Sequence, residues 1–237
     1  MSMYPQTRAH ELEYGTDDRV VFNFFNTVYA WMAVGLAVTA TVAYLMAQSP
    51  AALAIIYGSK AGYAVGGLAA FAIAWAVQSM AMRISPVVAT AMFLLYAAVI
   101  GALLSGIFKT YDNATIGSAF LITGGVFGGM SVYGFVTKRD LTGMGSILIM
   151  CAWGLFLASL VNIFLASSVI SWFITYAVLA VFIGLTAYDT QKLRQIALQL
   201  QGNPSMAARY AIVGSLHLYV DFINIFISIL RILGSRR

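Results

Sequence analysis

The spacing of charged residues along this chain defines its elements. Forty uncharged residues separate Arg19 from Lys60, and twenty-two separate Lys60 from Arg83. Twenty-five lie between Arg83 and Lys109, and another twenty-five between Asp112 and Lys138. Leu141 to Tyr188 is a forty-eight-residue stretch without charge, and a last apolar run from Tyr210 to Leu230 is broken only by Asp221. A helix needs about 20 residues at 1.5 Å each to cross roughly 30 Å of hydrocarbon. At that rise the longest stretch would measure about 72 Å as one helix, so it must fold back once, at Ala166-Ser167-Ser168. The pattern predicts seven spanning helices, over 26–47, 62–82, 87–108, 115–137, 144–165, 169–189 and 209–233. Gln201-Gly202-Asn203-Pro204 predicts a break followed by an N-cap and a first-turn proline. The ten-residue alternation of a membrane barrel is missing. The expected organisation is a polar tail over 1–25, one helical transmembrane domain over 26–233 and a basic tail over 234–237. The first segment reads as a retained helix and not a signal peptide.

Composition agrees with this pattern. Hydrophobic residues make up 61 % of the chain and charged residues 9 %, against about 45–50 % and 25 % in soluble domains. The solvent for most of the chain is lipid. The net charge of +5 therefore points to basic loops and anionic headgroups, not to nucleic acid. Eight basic residues (Arg8, Arg19, Arg83, Lys138, Arg139, Lys192, Arg194 and Arg209) fall on the side of the N-terminal tail, against Lys60 and Lys109 on the other. That asymmetry predicts a cytoplasmic N-terminus. Arg231, Arg236 and Arg237 oppose it if the last segment crosses, so that segment either crosses or is re-entrant. Cys151, the only cysteine, forms no internal disulfide or zinc site and is expected to be a small buried hydrophobe. Gly124-Gly125-Val126-Phe127-Gly128-Gly129 overlaps two small-xxx-small pairs, and its four glycines are expected at close helix contacts.

Two acidic residues fall inside the membrane pattern: Asp189 at the end of segment six and Asp221 within segment seven. A mid-bilayer aspartate costs at least about 2.5–3.5 kcal/mol on insertion scales and is a functional candidate by default. Topology brings both, with Arg83 at the inner end of segment two, to the cytoplasmic half. Neighbouring carboxylates in a low-dielectric site titrate as a pair, and their hard oxygens also suit calcium, so protons and calcium would compete there. Arg83 would neutralise one carboxylate and hold helices together. His217, four residues before Asp221, shares its helix face and either tunes protons or serves as a packing partner. An enzyme is not expected: Ser215 and His217 are two residues apart and lie on different faces, and no HExxH run or segment-seven lysine is present. Nothing in the sequence calls for a cofactor.

Tyr188-Asp189-Thr190-Gln191-Lys192-Leu193 and Leu218-Tyr219-Val220-Asp221-Phe222-Ile223-Asn224-Ile225-Phe226 resemble the helix-six and helix-seven signatures of the Bax inhibitor-1 family. The likeness spans about Thr27 to Gly234. It implies a seven-helix fold whose aspartate-bearing last helix is central. It also implies a passive calcium leak gated by pH through Asp189 and Asp221, with Arg83 as their latch. The acidic residue that some bacterial relatives carry in helix two has no counterpart between Ala61 and Met82. By the same resemblance the alternative is an interaction protein that modulates a membrane-bound protease or cell-death machinery. The plain N-terminal tail suits a bacterial inner-membrane member.

Overall fold

A computed structural model describes the backbone of residues 6–58, 60–80, 84–200 and 203–234, and side chains over 19–58, 65–77, 79, 84–200 and 203–234. The chain is an all-helical, multi-pass integral membrane protein. Its helices are α1 (Gln6–Ala47), α2 (Pro50–Tyr57), α3 (Lys60–Met80), α4 (Pro86–Leu104), α5 (Ile107–Thr110), α6 (Asn113–Val136), α7 (Thr142–Leu165), α8 (Ser168–Gln199) and α9 (Pro204–Gly234). Six stretches are long and apolar enough to cross a membrane: Arg19–Ala47, Pro86–Thr110, and the whole of α6, α7, α8 and α9. The 21-residue α3 supplies the remaining expected segment, with a described apolar stretch of Val65–Val77.

Helix starts are written locally in the sequence. Ser49-Pro50 and Ser85-Pro86 place a capping hydroxyl before a first-turn proline, and each serine accepts a bond from the third following amide. Asp112 caps α6 by accepting from Thr115 N at 2.6 Å. Asn203 caps α9 by accepting from Met206 N, with Pro204 next in line as expected. The expected reversal between α7 and α8 falls at Ala166, whose φ of 50° is left-handed, followed by Ser167 as the cap of α8.

Two helices outrun the hydropathy pattern. α1 runs back through the expected polar tail to Gln6, and α8 continues ten residues past Asp189 to Gln199. At 1.5 Å per residue α8 is about 48 Å long, more than the hydrocarbon requires. Its last three turns stay helical because Leu193 and Ala197 pack inward while Lys192, Arg194 and Gln195 face out. Asp189 is therefore inside α8 and not at its end. α9 is one unbroken helix. Pro204 begins it on the face holding the 137–141 loop, and Gly234 ends it against Tyr111 on the opposite face. It is long and apolar enough to cross in one pass, without the break that a re-entrant segment needs.

α9 is the central helix, packed against α8, α1, α6, α4 and α3. Small residues set the approach of its neighbours, since lipid supplies no hydrophobic drive between helices. A Cβ on Gly134 of α6 would meet the Ala187 carbonyl of α8, and one on Gly101 of α4 would sit 2.6 Å from the Thr39 carbonyl of α1. Gly35 accommodates Phe93, and Gly145 accommodates Tyr188. The glycines expected to pack do not. Gly124, Gly125, Gly128 and Gly129 have nothing within 4 Å of a built Cβ among the described residues. α6 turns its other side, with Ala119, Thr123, Phe127, Ser131 and Gly134, into the bundle. Cys151 is likewise exposed, because α7 buries only Gly145.

Candidate functional site

The two aspartates meet at the α8–α9 contact. These helices run antiparallel, and Leu193 fills the space left by Gly214. That register puts Asp189 beside His217 and Leu218, with Asp221 one turn further along α9. Asp189 lies within electrostatic reach of His217 and Lys192, and Asp221 within that of Asp189. Asp221 is 2 % exposed, and its Oδ2 finds no hydrogen-bond partner among the described residues. Buried polar atoms in folded proteins are nearly always satisfied, so this carboxylate oxygen calls for a partner beyond the described side chains: a proton, a cation or a residue outside them. Arg83, the expected latch of the pair, lies outside the described residues.

The rest of the α8 signature explains how Asp189 is aimed. Tyr188 lies on Gly145 of α7, with Lys192 Nζ 5.6 Å from its ring centroid. Thr190 bonds the Thr186 carbonyl at 2.7 Å on the side where the Tyr29 hydroxyl of α1 approaches it and Ser131. Gln191 accepts from Leu141 N at 2.9 Å and donates to the Arg139 carbonyl at 2.7 Å, which ties the 137–141 loop to α8. With 188, 190, 191 and 193 committed to α7, α1, the loop and α9, the direction left to residue 189 is toward the upper turn of α9.

The α9 signature is built in the same manner. Tyr219 is fully buried between Phe93 and Tyr96, at centroid distances of 5.6 and 5.8 Å. Its hydroxyl is 2.5 Å from Thr39 Oγ1, which also lies 2.9 Å from the Ala97 carbonyl. With the threonine proton committed to a carbonyl, Tyr219 donates to Thr39, and α9, α1 and α4 are tied together at mid-height. Phe222 meets Phe120 and Phe127 of α6 on another side. Ser215 donates to the Val28 and Ala211 carbonyls, an anchor to α1. His217, Asp221, Asn224 and Ser228 fall at i, i+4, i+7 and i+11, a single polar stripe along the helix. Asn224 Nδ2 donates to the Val220 carbonyl at 2.8 Å, and Ser228 Oγ to that of Asn224.

Sequence reasoning found the two aspartates and His217, and the structure brings the three together. It missed Gln191, the Tyr219–Thr39 tie and the polar stripe, although the stripe's spacing was readable. Gln191 could not be found that way, because its partners are backbone atoms of a loop fifty residues away. Among the described residues no three His, Cys, Asp or Glu side chains converge to cage a metal ion. Calcium takes six to eight oxygens, more than two carboxylates supply.

A family model described as "Inhibitor of apoptosis-promoting Bax1" matches residues 21–237. The chain is 44 % identical over 211 residues to the inner membrane protein YbhL of Escherichia coli strain K12, covering 89 % of this chain and 90 % of that protein. It is 42 % identical over 214 residues to a protein of Borreliella burgdorferi, with 90 % and 92 % covered, and 42 % identical over 217 residues to one of Deinococcus radiodurans, with 91 % and 92 % covered.

Proposed function

The chain belongs to the Bax inhibitor-1 family, and on that premise we propose that it is a passive, pH-sensitive calcium leak gated by Asp189 and Asp221. The observation that carries this reading is Asp221, buried at mid-helix next to a second carboxylate, with an Oδ2 that finds no hydrogen-bond partner among the described residues. Two carboxylates in one low-dielectric site take up protons as a pair, so a proton and a cation exclude each other there. Protonation closes the site by removing the charge that attracts calcium, and His217 tunes it through Asp189. Arg83, which the sequence pattern puts at the inner end of the second segment, is proposed to latch the pair. The N-terminus faces the cytoplasm of a bacterial inner membrane, which puts the basic 137–141 loop on the same side.

The test is calcium uptake down its gradient into proteoliposomes with no proton gradient. Asp221→Asn is expected to lower the rate at least about tenfold, since the isostere removes the charge and keeps the shape. Uptake at the wild-type rate in Asp221→Asn overturns the reading. Uphill movement driven by an imposed proton gradient would make the protein a coupled transporter instead.

A second reading, modulation of a membrane-bound protein such as a protease, is favoured by the open glycine face of α6. Gly124, Gly125, Gly128 and Gly129 leave room for a partner helix. A stoichiometric partner that co-purifies with wild type and is lost with Gly125→Leu, while Asp189→Asn retains it, supports that reading.

A further inference from the structure

At the basic face a cavity of about 610 Å³ opens between residues 19–23 of α1 and the last turns of α8, and Arg19 and Arg194 both line it. Its described lining is otherwise Val21, Phe22, Asn23, Phe135 and Leu198, with no acidic side chain among them. The Arg194 guanidinium lies over the Phe135 ring, 5.4 Å from its centroid. That stacking fixes the planar head at the cavity wall and leaves its N–H groups directed away from the ring. Two guanidiniums sharing one cavity with no carboxylate among its described lining form a receptor for an anion, and the rigid donor fork of arginine matches phosphate oxygens.

Depth selects the anion's source. Arg19 lies about 42 Å along α1 from Ala47, and Arg194 about 39 Å along α8 from Ser168, at 1.5 Å per residue. Those lengths exceed the roughly 30 Å of hydrocarbon, so both arginines lie beyond its edge at the level of the headgroups, which add about 5–8 Å on each side. Phe22 and Phe135, both exposed, offer an apolar floor on the lipid side of the arginines. We propose that this cavity binds an anionic phospholipid of the leaflet on the basic face, its phosphate between Arg19 and Arg194 and its upper acyl carbons against Phe22 and Phe135. The site is separate from the aspartate pair and does not depend on calcium passage.

Native mass spectrometry of the full chain, offered equimolar phosphatidylglycerol and phosphatidylethanolamine, tests this. Wild type is expected to retain the anionic lipid about tenfold over the zwitterionic one, and Arg19→Gln with Arg194→Gln to bring the ratio near unity. Arg139→Gln, exposed on the same face but outside the cavity, should keep the wild-type ratio. Thermal unfolding in zwitterionic lipid checks that the double variant is folded. If it is not, Arg194→Lys, which keeps the charge but loses the fork and the stacking, should still lower the ratio a few-fold. Soluble glycerol 3-phosphate is expected not to displace the lipid. Equal retention by wild type and variants, no preference in wild type, or displacement by glycerol 3-phosphate would each overturn the proposal.

Discussion

Helices α7 and α9 are both long apolar segments that a hydropathy pattern reads as equivalent spans, yet they occupy opposite environments. Fifteen residues of α9 are buried, against Gly145 alone in α7. The more apolar helix is the peripheral one. In water the central element is the most hydrophobic. In lipid the solvent is itself apolar, so hydrophobicity carries no information about burial, and polar or small residues mark the interior. α9 shows this with His217, Asp221, Asn224 and Ser228 on one stripe, while α7 presents Ile147, Met150, Trp153, Leu157 and Phe164 to lipid.

The sharpest way to break this comparison is to truncate matching leucines. Leu216 on α9 is fully buried and Leu157 on α7 is 57 % exposed. Leu216→Ala should destabilise by about 2–4 kcal/mol through the cavity it leaves, and Leu157→Ala should fall within about 0.5 kcal/mol of wild type. Equal losses in reversible unfolding in detergent would end the distinction between the helices.

Gln191→Leu probes how the peripheral helix is attached. It leaves the Leu141 N–H and the Arg139 carbonyl without their partners, at a cost of about 1–3 kcal/mol. Hydrogen exchange should rise at the start of α7 and not in the middle of α9.

At the centre, a double-mutant cycle of Tyr219→Phe and Thr39→Val should give a coupling of about 0.6–1.7 kcal/mol, the range for hydrogen bonds between membrane helices. A coupling of zero would mean that aromatic packing against Phe93 and Tyr96 alone holds α9 in place.

The smallest effect is at the water-exposed start of α7. The Thr142 hydroxyl and amide both donate to Asp140, holding its carboxyl below the ordinary value of 3.8. The stabilisation is present above that value and is lost as pH falls through the lowered one. Acid titration of the melting temperature should be slightly flatter in Asp140→Ala below about pH 4, and an identical profile would show that this cap contributes nothing.

Much of this was legible in the sequence, for reasons that differ by region. Six of the seven expected segments, the reversal at Ala166 and the Asn203-Pro204 start follow from charge spacing and cap chemistry, which are local. The reach of α1 to Gln6 and of α8 to Gln199 was hidden, because hydropathy reports contact with lipid and not helicity. The Gly124–Gly129 run misled because glycine spacing permits close approach without specifying which face finds a neighbour. Gly134, isolated in sequence, is the glycine that touches α8. Of the site, Asp189, Asp221 and His217 stood out as rare polar groups in an apolar background, while the groups that aim them depend on long-range partners no spacing reveals.

The account rests on Asp189 and Asp221 acting as one titrating gate, and the most direct measurement is calcium flux into proteoliposomes at pH 6, 7 and 8 for wild type and Asp189→Asn. The account predicts a wild-type rate that falls as pH drops and a variant whose rate no longer follows pH across that range. A variant that keeps the wild-type pH dependence would contradict it.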